Sequence, residues 1–168
     1  FHDSNLMSSN LFPQSFDLRV VHYWLKTHPE FAEQTVWLDP RGRQKNFTTN
    51  LKEMLAIKAQ GIKIISPPMP MLIQLNDAGD LEPSDYAKYA KQAGLDIITW
   101  TMETGEPTDP KNWLYANIAS VMDRPGRMLE VLDVLAQQVG VRGIFSDWPG
   151  TITYYANCTN DLSSRLKK

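Results

Sequence analysis

Short apolar segments alternate with helical patterns along most of the chain, and this alternation constrains the fold more than any other feature. The apolar segments lie at residues 11–16, 35–38, 62–65, 95–100 and 143–146. The patterns between them repeat with the period of an α-helix, most clearly over residues 128–139. Strands separated by helices connect through right-handed crossovers and form a parallel sheet. The sequence therefore predicts an α/β fold with five parallel strands.

Two architectures fit five such units. One is part of a TIM (β/α)8 barrel, because a whole barrel takes about 250 residues. The other is a five-stranded doubly wound sheet of the flavodoxin type, which the length of 168 residues favours. In both architectures, the loops at the carboxyl ends of the strands build the functional site.

Composition and charge exclude several classes of function. With 42% hydrophobic and 21% charged residues, the chain is predicted to form a single globular domain over residues 1–168. A net charge of −2 argues against nucleic acid as a partner, because binding a phosphate backbone needs a concentrated basic surface. No stretch approaches the roughly 20 apolar residues of a membrane span. Cys158 is the only cysteine, so neither an intrachain disulfide nor a usual zinc spacing can form.

Common catalytic motifs do not occur at the predicted strand ends. The sequence contains neither a glycine-rich phosphate loop nor a GxSxG nucleophile elbow. Three carboxylates lie near those ends. Asp17 is predicted to cap a helix, and Asp39 to form a turn before Pro40. Asp147 is predicted either to fix the start of the last helix or to line the mouth of a barrel.

Three motifs resemble the later strands of the glycerophosphodiester phosphodiesterase family. They are Gln14-Ser15-Phe16-Asp17, the Trp100-Thr101 pair that closes a strand after Ala93-Gly94-Leu95, and Gly140-Val141-Arg142-Gly143-Ile144-Phe145-Ser146-Asp147-Trp148-Pro149. Together they extend the resemblance over about residues 10–157. The resemblance implies a partial TIM barrel, approximately strands 4 to 8. It also implies a lipid- and glycerol-metabolising enzyme that hydrolyses glycerophosphodiesters to an alcohol and glycerol phosphate with a divalent cation, Ca²⁺ or Mg²⁺.

The residues that carry catalysis in that family are not found in this chain. The family uses a His-Arg pair, a Glu-x-Asp metal pair, a second histidine, and a later Glu with a Lys, and none of these occurs here. The chain is therefore expected to be the C-terminal, substrate-side part of the enzyme, to lack the N-terminal part of the barrel, and to be inactive alone. No catalytic or metal-binding residue is predicted within it. Two alternatives stay open: a non-enzymatic binding domain and a catalytically dead barrel relative.

Four strand-end residues are predicted to bind the glycerophosphodiester. The resemblance implies that Trp100 lines the glycerol side of the pocket, and a tryptophan there could offer its ring face together with its N–H. Phe16 and Gln14 lie at the end of the first predicted strand, and Asp147 lies at the end of the last.

The segment from residue 102 to 122 is also assigned to the substrate site. It is longer than a simple connection, and long loops in compact domains are usually functional or disordered. It carries Trp113 and Tyr115, two large side chains with hydrogen-bonding tips. We predict that it folds back over the mouth of the sheet and places Trp113 or Tyr115 near Trp100.

The resemblance favours a periplasmic or secreted protein. Asn46-Phe47-Thr48 and Asn157-Cys158-Thr159 are acceptor patterns for N-glycosylation, which apply in a eukaryotic secretory pathway.

Overall fold

The computed structural model describes residues 8–44, 46–102 and 104–166, and within these ranges five parallel strands form the main sheet. The described ranges contain seven strands in all, which are β1 (Gln14–Ser15), β2 (Val36–Leu38), β3 (Ile64–Ser66), β4 (Ile73–Leu75), β5 (Leu81–Pro83), β6 (Asp96–Met102) and β7 (Gly143–Ser146). The main sheet has the order β1-β2-β3-β6-β7, and β4 and β5 form a separate antiparallel hairpin.

The strands alternate with α-helices, as the sequence predicts. The helices are α1 (Leu18–Thr27), α2 (Leu51–Ala59), α3 (Asp85–Gln92), α4 (Arg127–Asp133) and α5 (Pro149–Leu166), and a π-helical segment at Val134–Val139 continues α4. Side-chain oxygens of Asp17, Asn50 and Ser84 accept backbone N–H groups at the starts of α1, α2 and α3. No helix within the described ranges is both long and apolar enough to cross a membrane.

The order of the main sheet distinguishes between the two predicted architectures. Each neighbouring pair is parallel, and the strands follow one another across the sheet in the order of the sequence. A flavodoxin-type sheet has the order 2-1-3-4-5, which reverses direction once. The doubly wound alternative is therefore wrong, while the α/β class with a parallel five-stranded sheet is confirmed.

The helices cover one face of this sheet. Trp37, Ile65 and Ile97 lie side by side in register on that face. They belong to the same buried cluster as Val21 of α1 and Met54 of α2. Helices α3, α4 and α5 also contribute side chains to this cluster or pack against it. The hydrophobic core of the described chain therefore lies between one face of the sheet and its helices.

The opposite face of the sheet, called here the open face, has no helix from the described residues packed on it. Val36 and Ile64 lie on this face in the inner strands, and Ile98 follows in β6. Phe16 and Phe145 lie near its two edges and are 48% and 40% exposed. None of these five side chains belongs to the helical cluster. Val36 and Ile64 are nevertheless buried, at 1% and 0% exposed, so the largely accessible apolar side chains of the open face are those near its two edges.

The pairing of β6 with β7 changes register near the carboxyl ends of the strands. Thr99 pairs with Ile144, but the next partner, Ser146, lies opposite Met102, so β6 contains one extra residue. Met102 consequently packs into the helical cluster. The peptide bond between Trp100 and Thr101 is cis.

Candidate functional site

Three aromatic side chains and one arginine meet at the carboxyl edge of the sheet, and we call this group the aromatic cluster. Phe16 and Trp100 pack edge to face with ring centroids 5.8 Å apart. Trp113 approaches Trp100 from the other side, with centroids 6.0 Å apart. The guanidinium carbon of Arg43 lies 5.6 Å from the Trp100 ring centroid and 5.8 Å from that of Trp113. Three of the predicted site residues therefore lie together, because Phe16 and Trp113 both contact Trp100.

Each member of the cluster comes from a different segment that ends at this edge. Phe16 directly follows β1, and Trp100 lies in β6. Arg43 ends a short 3-10 turn, Pro40–Arg43, that follows β2. Trp113 comes from the long segment after β6, as predicted, and the predicted return of that segment to Trp100 is confirmed. Because parallel strands end at one edge, residues far apart in sequence converge there.

The indole N–H of Trp100 is not available to a ligand. It donates a hydrogen bond of 2.9 Å to the backbone carbonyl of Ser66 in β3. This corrects the prediction that Trp100 offers both its ring face and its N–H. The hydrogen bond instead fixes the orientation of the ring, so Trp100 presents only apolar ring surface, and a polar contact must come from a neighbour.

Arg43 is the polar group of the cluster, and its role was not predicted from the sequence. Its side chain is exposed, and no carboxylate in the described ranges lies within ion-pair distance of its guanidinium. The signal was present as two arginines in one short loop, Arg41 and Arg43, of which Arg41 pairs with Asp39. The contact of Arg43 with Trp100 and Trp113 could not be foreseen, because it joins three separate segments.

A buried ion pair anchors the turn that carries Arg43. Asp39 is 0% exposed and accepts hydrogen bonds from Arg41 Nε at 2.9 Å and Arg41 Nη2 at 2.8 Å. It also accepts the backbone N–H of Arg41 and, at 2.8 Å, the hydroxyl of Tyr86 in α3. Asp39 is thus a turn residue, as predicted, and in addition it ties the turn to the core.

Burial and the neighbouring Asp39 shift the pKa values of Tyr86 and Arg41. Burial, followed by the charge of Asp39, raises the pKa of the Tyr86 phenol well above its usual value of 10.0. Burial acts to lower the pKa of Arg41, but its hydrogen bond to Asp39 and the attraction of that carboxylate outweigh burial and raise the pKa. The guanidinium of Arg41 also stacks on the rings of Trp37 and Phe47. Tyr86 is therefore a neutral donor at ordinary pH, and Arg41 is a structural cation.

The remaining carboxylates near the edge do not converge on a metal site. Asp17 caps α1, as predicted, and its pKa is lowered by the hydrogen bond from the Arg19 side chain. Asp147 accepts a hydrogen bond of 2.7 Å from the hydroxyl of Thr104 in the long segment. No group of three or more His, Cys, Asp or Glu side chains in the described ranges could hold a metal ion.

The other predicted site residues lie in different surroundings. Gln14 is an exposed residue of β1, two positions before Phe16. Tyr115 is 1% exposed, and its hydroxyl lies 3.9 Å from the sulfur of Met102. Tyr115 is therefore a core residue beneath the long segment, whereas Trp113 is 42% exposed. The prediction that Trp113 or Tyr115 lies near Trp100 is therefore confirmed for Trp113 and not for Tyr115.

A cleft of about 650 Å³ lies behind the turn that carries Arg43. Its walls include Phe47, Tyr86, Gln74 and Asn117. The aromatic cluster does not line it, and the amide of Asn117 already donates to the carbonyls of Pro70 and Ile73. Some of the polar side chains that line the cleft are therefore already hydrogen-bonded within the protein.

Comparison with known proteins relates the chain to a fungal protein. No family model matches the sequence. A protein of Arthroderma benhamiae named "Extracellular protein" is 35% identical to the chain over 169 residues, which cover 95% of the chain and 67% of the fungal protein. The chain belongs to the family of that protein. About a third of the fungal relative lies outside the matched region.

Proposed function

We propose that this chain is the substrate-side part of a β/α barrel enzyme that hydrolyses glycerophosphodiesters to an alcohol and glycerol phosphate. The observation that carries the proposal is the aromatic cluster at the carboxyl edge of the sheet, formed by Phe16, Trp100, Trp113 and Arg43. Barrel enzymes place their sites at this edge, on residues from several strand ends. The cluster also contains Trp100, the residue that the family resemblance assigns to the glycerol pocket.

Three features of the sheet support a barrel segment, approximately strands 4 to 8. Its strand order follows the sequence, its helices lie on one face, and its opposite face carries apolar side chains with no described helix packed on them. In a barrel, that opposite face points to the interior and is covered by the remaining strands. Those strands would come from polypeptide outside this chain, and the part of the fungal relative outside the match leaves room for them.

The aromatic rings of the cluster suit the carbon side of a small polyol. Trp100 is fixed by its hydrogen bond to Ser66 and presents ring surface, while Trp113 is partly exposed beside it. Such surfaces pack against C–H groups of glycerol, and each close aromatic contact contributes about 0.5–1.5 kcal/mol. Gln14 lies in β1 and Asp147 directly follows β7, and we include both polar residues in the proposed substrate side.

The carboxylates described do not fit a divalent cation. Asp17 and Asp39 are each bound by an arginine, and Asp147 is hydrogen-bonded to Thr104. Hard cations such as Ca²⁺ and Mg²⁺ take several oxygen ligands, so the proposed metal dependence requires ligands from outside this chain. The same observation favours the second candidate, a non-enzymatic binding domain or a catalytically dead barrel relative, which would bind the phosphodiester without cleaving it.

We further propose that the protein is secreted. The support is the name of the fungal relative, "Extracellular protein", together with two exposed glycosylation acceptors at Asn46 and Asn157.

The proposed reaction is tested on the purified full-length protein. Glycerophosphocholine is incubated with the protein and with added Mg²⁺ or Ca²⁺, and released glycerol 3-phosphate is measured with and without a chelator. Release that the chelator abolishes supports the enzyme. Binding of the diester by calorimetry, with no release under any metal condition, supports the binding-only candidate instead.

A further inference from the structure

We infer that Arg43 binds the anionic oxygens of the phosphodiester, while Trp100 and Trp113 hold its guanidinium in place. The inference rests on the proposed function for the identity of the ligand. The geometry of the arginine supports anion binding at this position independently of the reaction.

The guanidinium of Arg43 lies beside two aromatic rings. Its carbon is 5.6 Å from the Trp100 ring centroid and 5.8 Å from the Trp113 ring centroid. A cation–π contact attracts the charge of the guanidinium without occupying its five N–H donors with a hydrogen-bond acceptor. An arginine held in this way keeps the forked set of donors that matches two oxygens of a phosphate.

Arg43 differs from the other arginines whose side chains the structure describes. Arg19, Arg41, Arg124, Arg127 and Arg142 each form an ion pair with an aspartate or a glutamate. Arg43 forms none with any described residue, although it lies in a chain with more acidic than basic residues. A cation that is held by aromatic rings and paired with no described carboxylate can bind an exogenous anion.

The turn that bears Arg43 is anchored on both sides of Gly42. The neighbouring Arg41 is bound to the buried Asp39, which is also bound by Tyr86. Between the two arginines, Gly42 packs so closely that an added Cβ would overlap the side chain of Met71. Because the turn is fixed before a ligand arrives, little conformational entropy is lost on binding.

The chemistry of the surroundings favours a phosphodiester over a free inorganic anion. Phe16, Trp100 and Trp113 offer ring surface beside the exposed cation of Arg43. This combination suits a ligand with one delocalised negative charge and an attached carbon skeleton. In the proposed reaction, Arg43 is a binding residue that positions the phosphate, and no proton transfer is assigned to it.

The test uses the full-length protein and compares Arg43→Gln with a matched control, Arg142→Gln. Arg142 is also an exposed arginine over an aromatic ring, that of Phe12, but it precedes β7 at the opposite edge of the sheet. Binding of sn-glycerol 3-phosphate, with glycerol as the uncharged comparison, is measured by calorimetry. Thermal unfolding of each variant confirms that it is folded.

The expected result is a loss of affinity for glycerol 3-phosphate of about 10- to 100-fold in Arg43→Gln, the usual effect of removing a charge-assisted hydrogen bond. Weak glycerol binding should stay unchanged, and Arg142→Gln should bind like the wild type. Arg43→Lys should retain part of the affinity, because it keeps the charge and loses the planar fork. Unchanged affinity in a folded Arg43→Gln, or no binding by the wild type, overturns the inference.

Failure of the inference and failure of the proposed function give different results. If the wild type hydrolyses glycerophosphocholine and Arg43→Gln leaves KM unchanged, the inference is wrong and the proposed function stands. If glycerol 3-phosphate binds through Arg43 but no diester is cleaved, the proposed hydrolysis is wrong and the inference stands.

Discussion

Phe16 and Trp100 pack edge to face with ring centroids 5.8 Å apart, although β2 and β3 lie between the strands that carry them. Three strand spacings in a flat sheet measure about 14 Å, and side chains stand roughly perpendicular to a sheet. Rings on a flat sheet would stay about as far apart as their strands. Their contact therefore indicates that the sheet bends towards its open face.

A second contact, at the amino ends of the edge strands, agrees with this bend. The guanidinium of Arg142, before β7, lies 5.2 Å from the ring of Phe12, before β1. β1 and β7 are the two edge strands of the main sheet. Curvature of this kind is the geometry that brings residues from separate strand ends into one site.

Replacing Trp113 should weaken ligand binding more than it weakens the fold. The side chain is 42% exposed and contacts Trp100 and Arg43, so Trp113→Ala removes one wall of the site and little of the core. We expect the affinity for glycerol 3-phosphate to fall about 2- to 10-fold, with a melting temperature lowered by no more than about 2–4 °C. Tyr154→Ala, which removes an exposed aromatic residue of α5, is the control. Normal binding with early melting would mean that the segment is only structural cover.

Removing the charge of Asp39 should strongly destabilise the protein. Asp39→Asn leaves Arg41 and the hydroxyl of Tyr86 beside a neutral amide in a buried site. Breaking a buried ion pair in this way costs about 3 kcal/mol, which urea unfolding would measure. The control is Asp17→Asn, because its pair with Arg19 is exposed and asparagine also caps helices. Similar unfolding free energies for the two variants would contradict the assigned role of Asp39.

Stability at alkaline pH should depend on Tyr86. Its pKa is raised in the folded state, so only the unfolded chain releases this proton as the pH rises above about 10. The stabilising contribution is complete below pH 10 and decreases above it. Above pH 10, the free energy of unfolding should fall less steeply with pH in Tyr86→Phe than in the wild type. The difference between the two slopes should approach about 1.4 kcal/mol per pH unit, the value for one proton. Parallel pH profiles from urea unfolding between pH 9 and 11.5 would show that Tyr86 is not protected by burial.

Secretion through a eukaryotic pathway should modify Asn46. The residue is exposed in the loop between β2 and α2, and the acceptor pattern is completed by Thr48, which is also exposed. Expression of the full-length protein in a fungal host should give a mass increase that an endoglycosidase removes. Thr48→Ala should abolish that increase at Asn46 while leaving Asn157 available. An unmodified peptide containing Asn46 in secreted material would count against this prediction.

The sequence predicted the elements whose signals are local. The strand at residues 143–146 is found as Gly143–Ser146, and Asp17 caps α1 as its position suggested. The hairpin of β4 and β5 was not predicted, because three-residue strands show too little alternation. The hydrogen bond from the Trp100 N–H to Ser66 and the contact of Arg43 with the Trp100 ring were also not predicted. Both depend on contacts between segments far apart in sequence, and no local pattern encodes these contacts.

The central claim is that this chain supplies the substrate side of a phosphodiesterase and that the remaining polypeptide supplies the metal and acid–base residues. The most direct test measures the release of glycerol 3-phosphate from glycerophosphocholine by the full-length protein and by residues 1–168 alone, each with added Mg²⁺ or Ca²⁺ and each checked for folding by circular dichroism. The account predicts chelator-sensitive turnover by the full-length protein and none by residues 1–168. Metal-dependent turnover by residues 1–168 alone, or none by the full-length protein, would contradict it.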